Sequence, residues 1–255
     1  MQDVLNMMLA RPYVSLDDLP SREDEASLTH IPHTSIYREW IQLGGLLAFE
    51  KPPTNNPLGQ STGAAAAVIK YVLEEESQSS PALNDDDALT LYFSCTPPRM
   101  IEDTSRRLAV RRRKRLDPES LTSSTVVLRE LILQVLDSMK ESAHGLLGSL
   151  RKQLPKSIEP HQVSDILKLD NEAQLRGLFL SLVRRRLVLL GIDNGDGIGD
   201  DTEGKSDVSS FLAFLRSVSK SATLSYVVVG GWSKFYQVER EGCLKVNSNT
   251  EYQGT

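Results

Sequence analysis

Cysteine is scarce, with Cys95 and Cys243 the two in 255 residues. Two thiols cannot build a disulfide framework or a four-cysteine zinc site. The histidines, His30, His33, His144 and His161, are scattered without metal-ligand spacing. No apolar run reaches the roughly 18 residues that a membrane-spanning helix needs. The first ten residues carry Asp3 and no basic side chain, so they make a poor secretory signal. There is no cysteine–histidine pair close in sequence. A net charge of −5 argues against a general nucleic-acid binder. Apolar residues at 40% and charged ones at 25% describe a globular chain. The expectation is a soluble intracellular protein, cytoplasmic or nuclear, without a membrane or a specific nucleic-acid partner.

Acidic residues crowd the beginning of the chain. Asp17, Asp18, Glu23, Asp24 and Glu25 lie between Pro12 and the first clear helical stripe. Residues 1–34 therefore read as a flexible acidic arm. Ile36, Trp40, Ile41 and Leu43 then give a short helical stripe that Gly44-Gly45 ends. Trp40 reads as a packing anchor rather than a ligand stacker. Leu46 to Phe49 is a buried strand, and Thr62 to Glu76 an alanine-rich helix. Ala88 to Cys95 is a second strand, and Val126 to Met139 an amphipathic helix. Shorter helices fill 143–153 and 160–168, and a longer one Asn171 to Arg185. Leu187 to Ile192 is apolar on both faces, as a central parallel strand requires. A helix over Val208 to Val218, a strand over Leu224 to Val229 and a weak strand over Cys243 to Val246 follow. Strands alternating with helices predict an α/β fold, a parallel sheet covered on both faces.

The loop after the first strand has the layout of a phosphate-binding loop: strand, Gly-x-Ser/Thr, helix. That chemistry needs backbone N–H groups converging on one cavity, a lysine for the β- and γ-phosphates and a hydroxyl for Mg²⁺. Gly59 supplies a flexible joint, and Ser61 and Thr62 supply hydroxyls. The lysine position holds Gln60, and Pro53 and Pro57 lack a backbone donor.

Several segments, taken in order, resemble the NACHT-type NTPase domain of fungal STAND proteins, the domain called nephrocystin-3-like N-terminal. Tyr37-x-x-Trp40-Ile41-x-x-Gly44-Gly45-Leu46-Leu47-Ala48-Phe49-x-Lys51-Pro52 is similar to its entry helix and first strand. Leu91 to Cys95 resembles its second strand, and Val127 to Leu136 its Leu-Arg-rich helix. Leu187 to Asn194 resembles the strand that carries the Mg²⁺-supporting acid. Tyr226–Trp232 and Cys243–Asn249 match the last two strand segments. The resemblance spans roughly residues 35–250. It implies a three-layer αβα P-loop NTPase-like fold with a five-stranded parallel sheet in the order 5-1-4-3-2. It also implies a nucleotide site at Gly59, Gln60, Ser61 and Thr62, with Ser61 and Asp193 as the Mg²⁺ positions.

The departures fall on the catalytic features. Six residues, Pro53 to Leu58, stand where the family has two. Gln60 replaces the lysine, Leu190 the first acid of the third strand and Asn194 its glutamate. Val229-Gly230-Gly231 replaces the Thr-Ser-Arg that follows the fourth strand. A lost charge-assisted contact is worth about 1.5–3 kcal/mol. Residues 35–255 thus read as a catalytically degenerate NACHT-like domain, a regulatory, scaffolding or signalling module with protein partners and homo-oligomerisation implied. No cofactor is expected, or only weak Mg²⁺-ATP or Mg²⁺-GTP binding. No catalytic residue is assigned beyond Asp193, which would act if turnover persists. Two rivals stand beside this reading, a weak but active STAND-type ATPase or GTPase, and a nuclear protein-interaction module.

The nuclear rival draws on Arg106, Arg107, Arg111, Arg112, Arg113, Lys114 and Arg115, a basic run inside an insertion over 99–118. It would bind an acidic partner or an importin. The glycine- and aspartate-rich stretch after Ile192 fails as a calcium loop. Gly197 at the sixth position puts apolar Ile192 at the first. The charge density and Pro97-Pro98 make 99–118 the expected site of first cleavage by trypsin in limited digestion. Peptide mapping that finds the strands cut before this segment counts against that expectation.

Overall fold

The computed structural model describes residues 2–9, 34–49, 64–73, 88–95, 122–140, 145–169, 171–184, 186–193, 195, 198, 208–221, 224–230 and 243–246. In chain order the elements are α1 (Gln2–Leu9), α2 (Ser35–Leu43), β1 (Gly45–Phe49), α3 (Ala64–Tyr71) and β2 (Leu89–Ser94). Then come α4 (Ser124–Lys140), α5 (Gly145–Gln153), α6 (Gln162–Lys168) and α7 (Glu172–Val183). The chain continues with β3 (Leu187–Asp193), α8 (Val208–Ser221), β4 (Leu224–Val229) and β5 (Cys243–Val246).

The strands lie in the order β2-β3-β4-β1-β5, with every pair parallel. Four strands make the body of the sheet, and the four-residue β5 lines the far edge of β1. The expected α/β class with a parallel sheet is what the chain adopts, in the order read from its segments.

Connection handedness dictates where the helices go. From β1 the chain steps past β4 and β3 to reach β2, then returns stepwise through β3 to β4. Right-handed crossovers in opposite directions must cover opposite faces. Accordingly α3 packs with α2 on one face, against Leu47, Leu189, Tyr226 and Val228. Helices α4, α7 and α8 pack on the other, against Leu46, Leu91, Leu190, Ile192 and Val227. Side chains that alternate along each strand enter the two cores in turn.

The smaller core is built around Trp40. Its ring is fully buried and meets Tyr226 edge-on, with centroids 5.3 Å apart at 74°. The indole N–H donates to the Gly45 carbonyl at 3.1 Å, so Trp40 is the packing anchor expected. The turn from α2 into β1 uses positive φ at Gly44 (70°) and Gly45 (99°), and the Gly44 N–H donates back to the Trp40 carbonyl at 2.8 Å. The β-carbon of any other residue would strain this backbone.

Helix α1 corrects the expectation of an arm that is loose from its first residue. Residues 2–9 are helical, Val4 is fully buried in the larger core, and Leu5 and Met7 pack against it. Asp3 pairs with Lys168 at 2.5 Å. The acidic cluster downstream dominates the composition and masks an eight-residue amphipathic helix. Residues 10–33 and the basic insertion 99–118 lie outside the described residues.

Gly191 sets the distance between α3 and the sheet. A β-carbon there would lie 2.2 Å from Ile69 Cδ1 and 3.3 Å from Tyr92 Cδ2. Ile69 is fully buried, so its end has little room to swing away. Gly191→Ala is expected to cost about 1–3 kcal/mol by overpacking. Ile69→Val removes the clashing methyl, so the same glycine change should cost less in that background. Urea unfolding of the four-member cycle reads the difference. Equal costs in both backgrounds would place the strain elsewhere.

Candidate functional site

The alternation along β3 decides which of its side chains can meet α3. Val188, Leu190 and Ile192 enter the larger core. Leu189 faces α3, Gly191 lies under Ile69, and Asp193 completes that row at the carboxyl end of the strand. Asp193 is fully buried. The Ala65 N–H donates to its Oδ1 at 2.9 Å, and the Ala66 N–H to its Oδ2 at 3.2 Å. These are free donors in the first turn of α3, and a negative group there also meets the positive end of the helix dipole. Local residues do this elsewhere: Thr34 accepts from the Tyr37 N–H at α2, and Asn171 from the Gln174 N–H at α7. For α3 the capping carboxylate comes from 128 residues away.

Tyr92 joins the same carboxylate from β2. Its register partner on β3 is Gly191, so its ring lies beside a position without a side chain. Its hydroxyl donates to Asp193 Oδ2 at 3.0 Å. Burial, then the Asp193 charge and the hydrogen bond to it, push the Tyr92 phenol well above its ordinary value. Burial and the same charge push the Cys95 thiol up. Backbone bonds stitch this edge of the sheet together. The Cys95 N–H donates to the Asp193 carbonyl at 3.0 Å, Gly230 N–H to Ile192 at 2.8 Å and Gly195 N–H to Gly230 at 3.1 Å.

Asp193 is thus brought to the start of the helix that follows the candidate phosphate loop. Gly59, Gln60, Ser61 and Thr62 lie outside the described residues, as does Asn194. Leu190 is fully buried against the α4 and α7 side, so the side chain at this position faces away from α3. Among the described residues no group of three acidic, histidine or cysteine side chains is placed to hold a metal ion. No described helix is long and apolar enough to cross a membrane.

Tyr92 was not singled out as a site residue by sequence. The signal was present: strand parity places position 92 beside the glycine of β3. That pairing needs the register, which sequence alone does not supply. No family model matches the chain, and no curated protein or solved structure matches it.

The raised phenol and thiol make stability fall with rising pH. Above the ordinary values of 9.0 for the thiol and 10.0 for the phenol, the unfolded chain sheds protons that the folded one keeps. The stabilisation is complete below about pH 9 and is lost as pH climbs past these values. Urea unfolding between about pH 8 and 11 should show a steady loss of stability. Tyr92→Phe and Cys95→Ala should each make that loss shallower. Near pH 7, Tyr92→Phe should also cost about 1.5–3 kcal/mol for the bond to a charged acceptor. An unchanged alkaline slope in both variants would show that other groups carry it.

Proposed function

We propose that this chain is a NACHT-like P-loop domain of the fungal STAND kind that has lost NTP turnover and serves as a regulatory or scaffolding module. The observation that carries the reading is the sequestered Asp193. The strand order puts the helix after β1 beside the end of β3. That is where a P-loop fold assembles phosphate, metal and acid. Here the carboxylate is committed to protein donors, Ala65, Ala66 and Tyr92. An acid that serves Mg²⁺ must instead turn its lone pairs toward the metal's ligand shell.

The sequence supports the same conclusion independently. Gln60 brings no positive charge to a phosphate, and the acid of the third strand's first motif position is replaced by Leu190. Gln60 and the capped Asp193 would bear on one phosphate–metal unit, whereas the Leu190 side chain enters the opposite core. Groups that act on one unit are non-additive, so restoring a single one recovers little.

Titration calorimetry with Mg²⁺-ATP and Mg²⁺-GTP, with phosphate release followed in parallel, tests the proposal. No turnover is expected, and binding no tighter than about millimolar. Gln60→Lys alone should recover little, because the carboxylate stays capped on α3. Micromolar affinity in the wild type that is lost in the Ser61→Ala, Thr62→Ala double variant would overturn the reading in favour of an active NTPase.

A further inference from the structure

Strand β2 is the outer strand of the sheet on the side away from β5. Its inward edge pairs with β3 over its whole length. Its outward edge is met by a side chain. The Tyr92 N–H donates to Gln134 Oε1 at 2.9 Å, and Gln134 Nε2 donates to the Tyr92 carbonyl at 2.7 Å. The same Nε2 lies 3.4 Å from Glu130 Oε1, one turn earlier on α4. Gln134 is four residues on from Glu130 and lies on the helix face turned toward β2.

A carboxamide carries the donor and acceptor of a peptide group in compact form. One residue that exchanges both N–H···O bonds with the residue opposite is the pattern of an antiparallel hydrogen-bonded pair. Gln134 therefore gives Tyr92 what an antiparallel neighbouring strand would give. Outer strands with buried apolar side chains readily accept another strand unless something blocks them. Apart from Thr90, the side chains of β2 are buried, so charged side chains of its own do not protect this edge.

We propose that Gln134 seals the β2 edge against pairing with the β2 strand of a second copy. The occupant follows from the bond pattern. Two copies related by a two-fold axis bring their β2 strands together antiparallel, with equivalent surfaces in contact. That arrangement offers Tyr92 the reciprocal pair of bonds that Gln134 now makes. The seal and the second strand compete for the same two backbone groups. This inference does not depend on the nucleotide reading above.

Gln134→Met tests it, because it keeps chain length and packing while removing both hydrogen-bonding groups. Light scattering over a range of concentrations should show self-association strengthened at least about tenfold over wild type. The Tyr92 amide should be protected from hydrogen exchange in the wild type at every concentration. In Gln134→Met its protection should rise with concentration. Adding Thr90→Lys, a charge on the same strand edge, should return the protein to wild-type association. If Gln134→Met does not fold, Gln134→Leu removes the same two hydrogen-bonding groups with a shorter apolar side chain, and the same measurements apply. Association that matches wild type in the folded variant overturns the proposal. So does association that Thr90→Lys leaves unchanged, or a wild type that already pairs along β2.

Discussion

The first turn of α3 is held to the end of β3 by one carboxylate, and the candidate site is organised around that bond. Asp193 accepts from two backbone donors of the helix and from the Tyr92 hydroxyl. Three elements far apart in the chain meet at one group. A buried charge is tolerated only where fixed dipoles replace its lost hydration. The helix terminus supplies these, and in return the carboxylate satisfies two N–H donors of its first turn. Removing either side leaves the other buried and uncompensated. Gly191 belongs to the same constraint, because the bond forms only if α3 can lie close on the sheet.

Much of the framework was legible from hydrophobic pattern. β3 is apolar on both faces, and it lies between β2 and β4 with helices on each side. Gly44-Gly45 marked the end of α2, and the backbone there needs residues tolerant of positive φ. Strands β4 and β5 fell where β-branched and apolar runs indicated. Three features were not legible, for different reasons. α1 carries its stripe over only two turns beside a strongly acidic stretch, so composition outweighed period. The bond of Asp193 to α3 depends on register and on closeness of packing, which no local pattern encodes. Gln134 reads in sequence as an ordinary polar position of an amphipathic helix, and its meaning appears only when β2 is known to be outermost.

The two faces of the sheet are built on different principles. The α4–α7–α8 side is broad and mainly aliphatic, with Leu128, Leu131, Leu136, Leu178 and Leu182 fully buried and Phe179, Phe211 and Phe214 in ring contact at one part of it. The α2–α3 side is smaller and aromatic, with Tyr37, Trp40 and Tyr226 in tilted and edge-on contact and small alanines where α3 nears the strands. Aliphatic cores tolerate repacking when volume is kept, whereas aromatic contacts with fixed hydrogen bonds admit few alternatives. The site lies on the less forgiving side. Its geometry rests on positions such as Gly191 and Ala65, where added atoms displace the helix.

The position of β1 has a consequence for synthesis. Leu47 lies opposite Val228 on one side and Leu244 on the other. Both partners are made long after β1 leaves the ribosome. At about 5–20 residues per second the interval is on the order of 10–40 s. During that time Leu46-Leu47-Ala48-Phe49 has no ladder to join, while β2, β3 and their helices can already pair. β1 then pairs with β4 once that strand is made, and β5 closes its other edge last. An early strand whose partners come last ties completion of the α3 end of the fold to arrival of those strands.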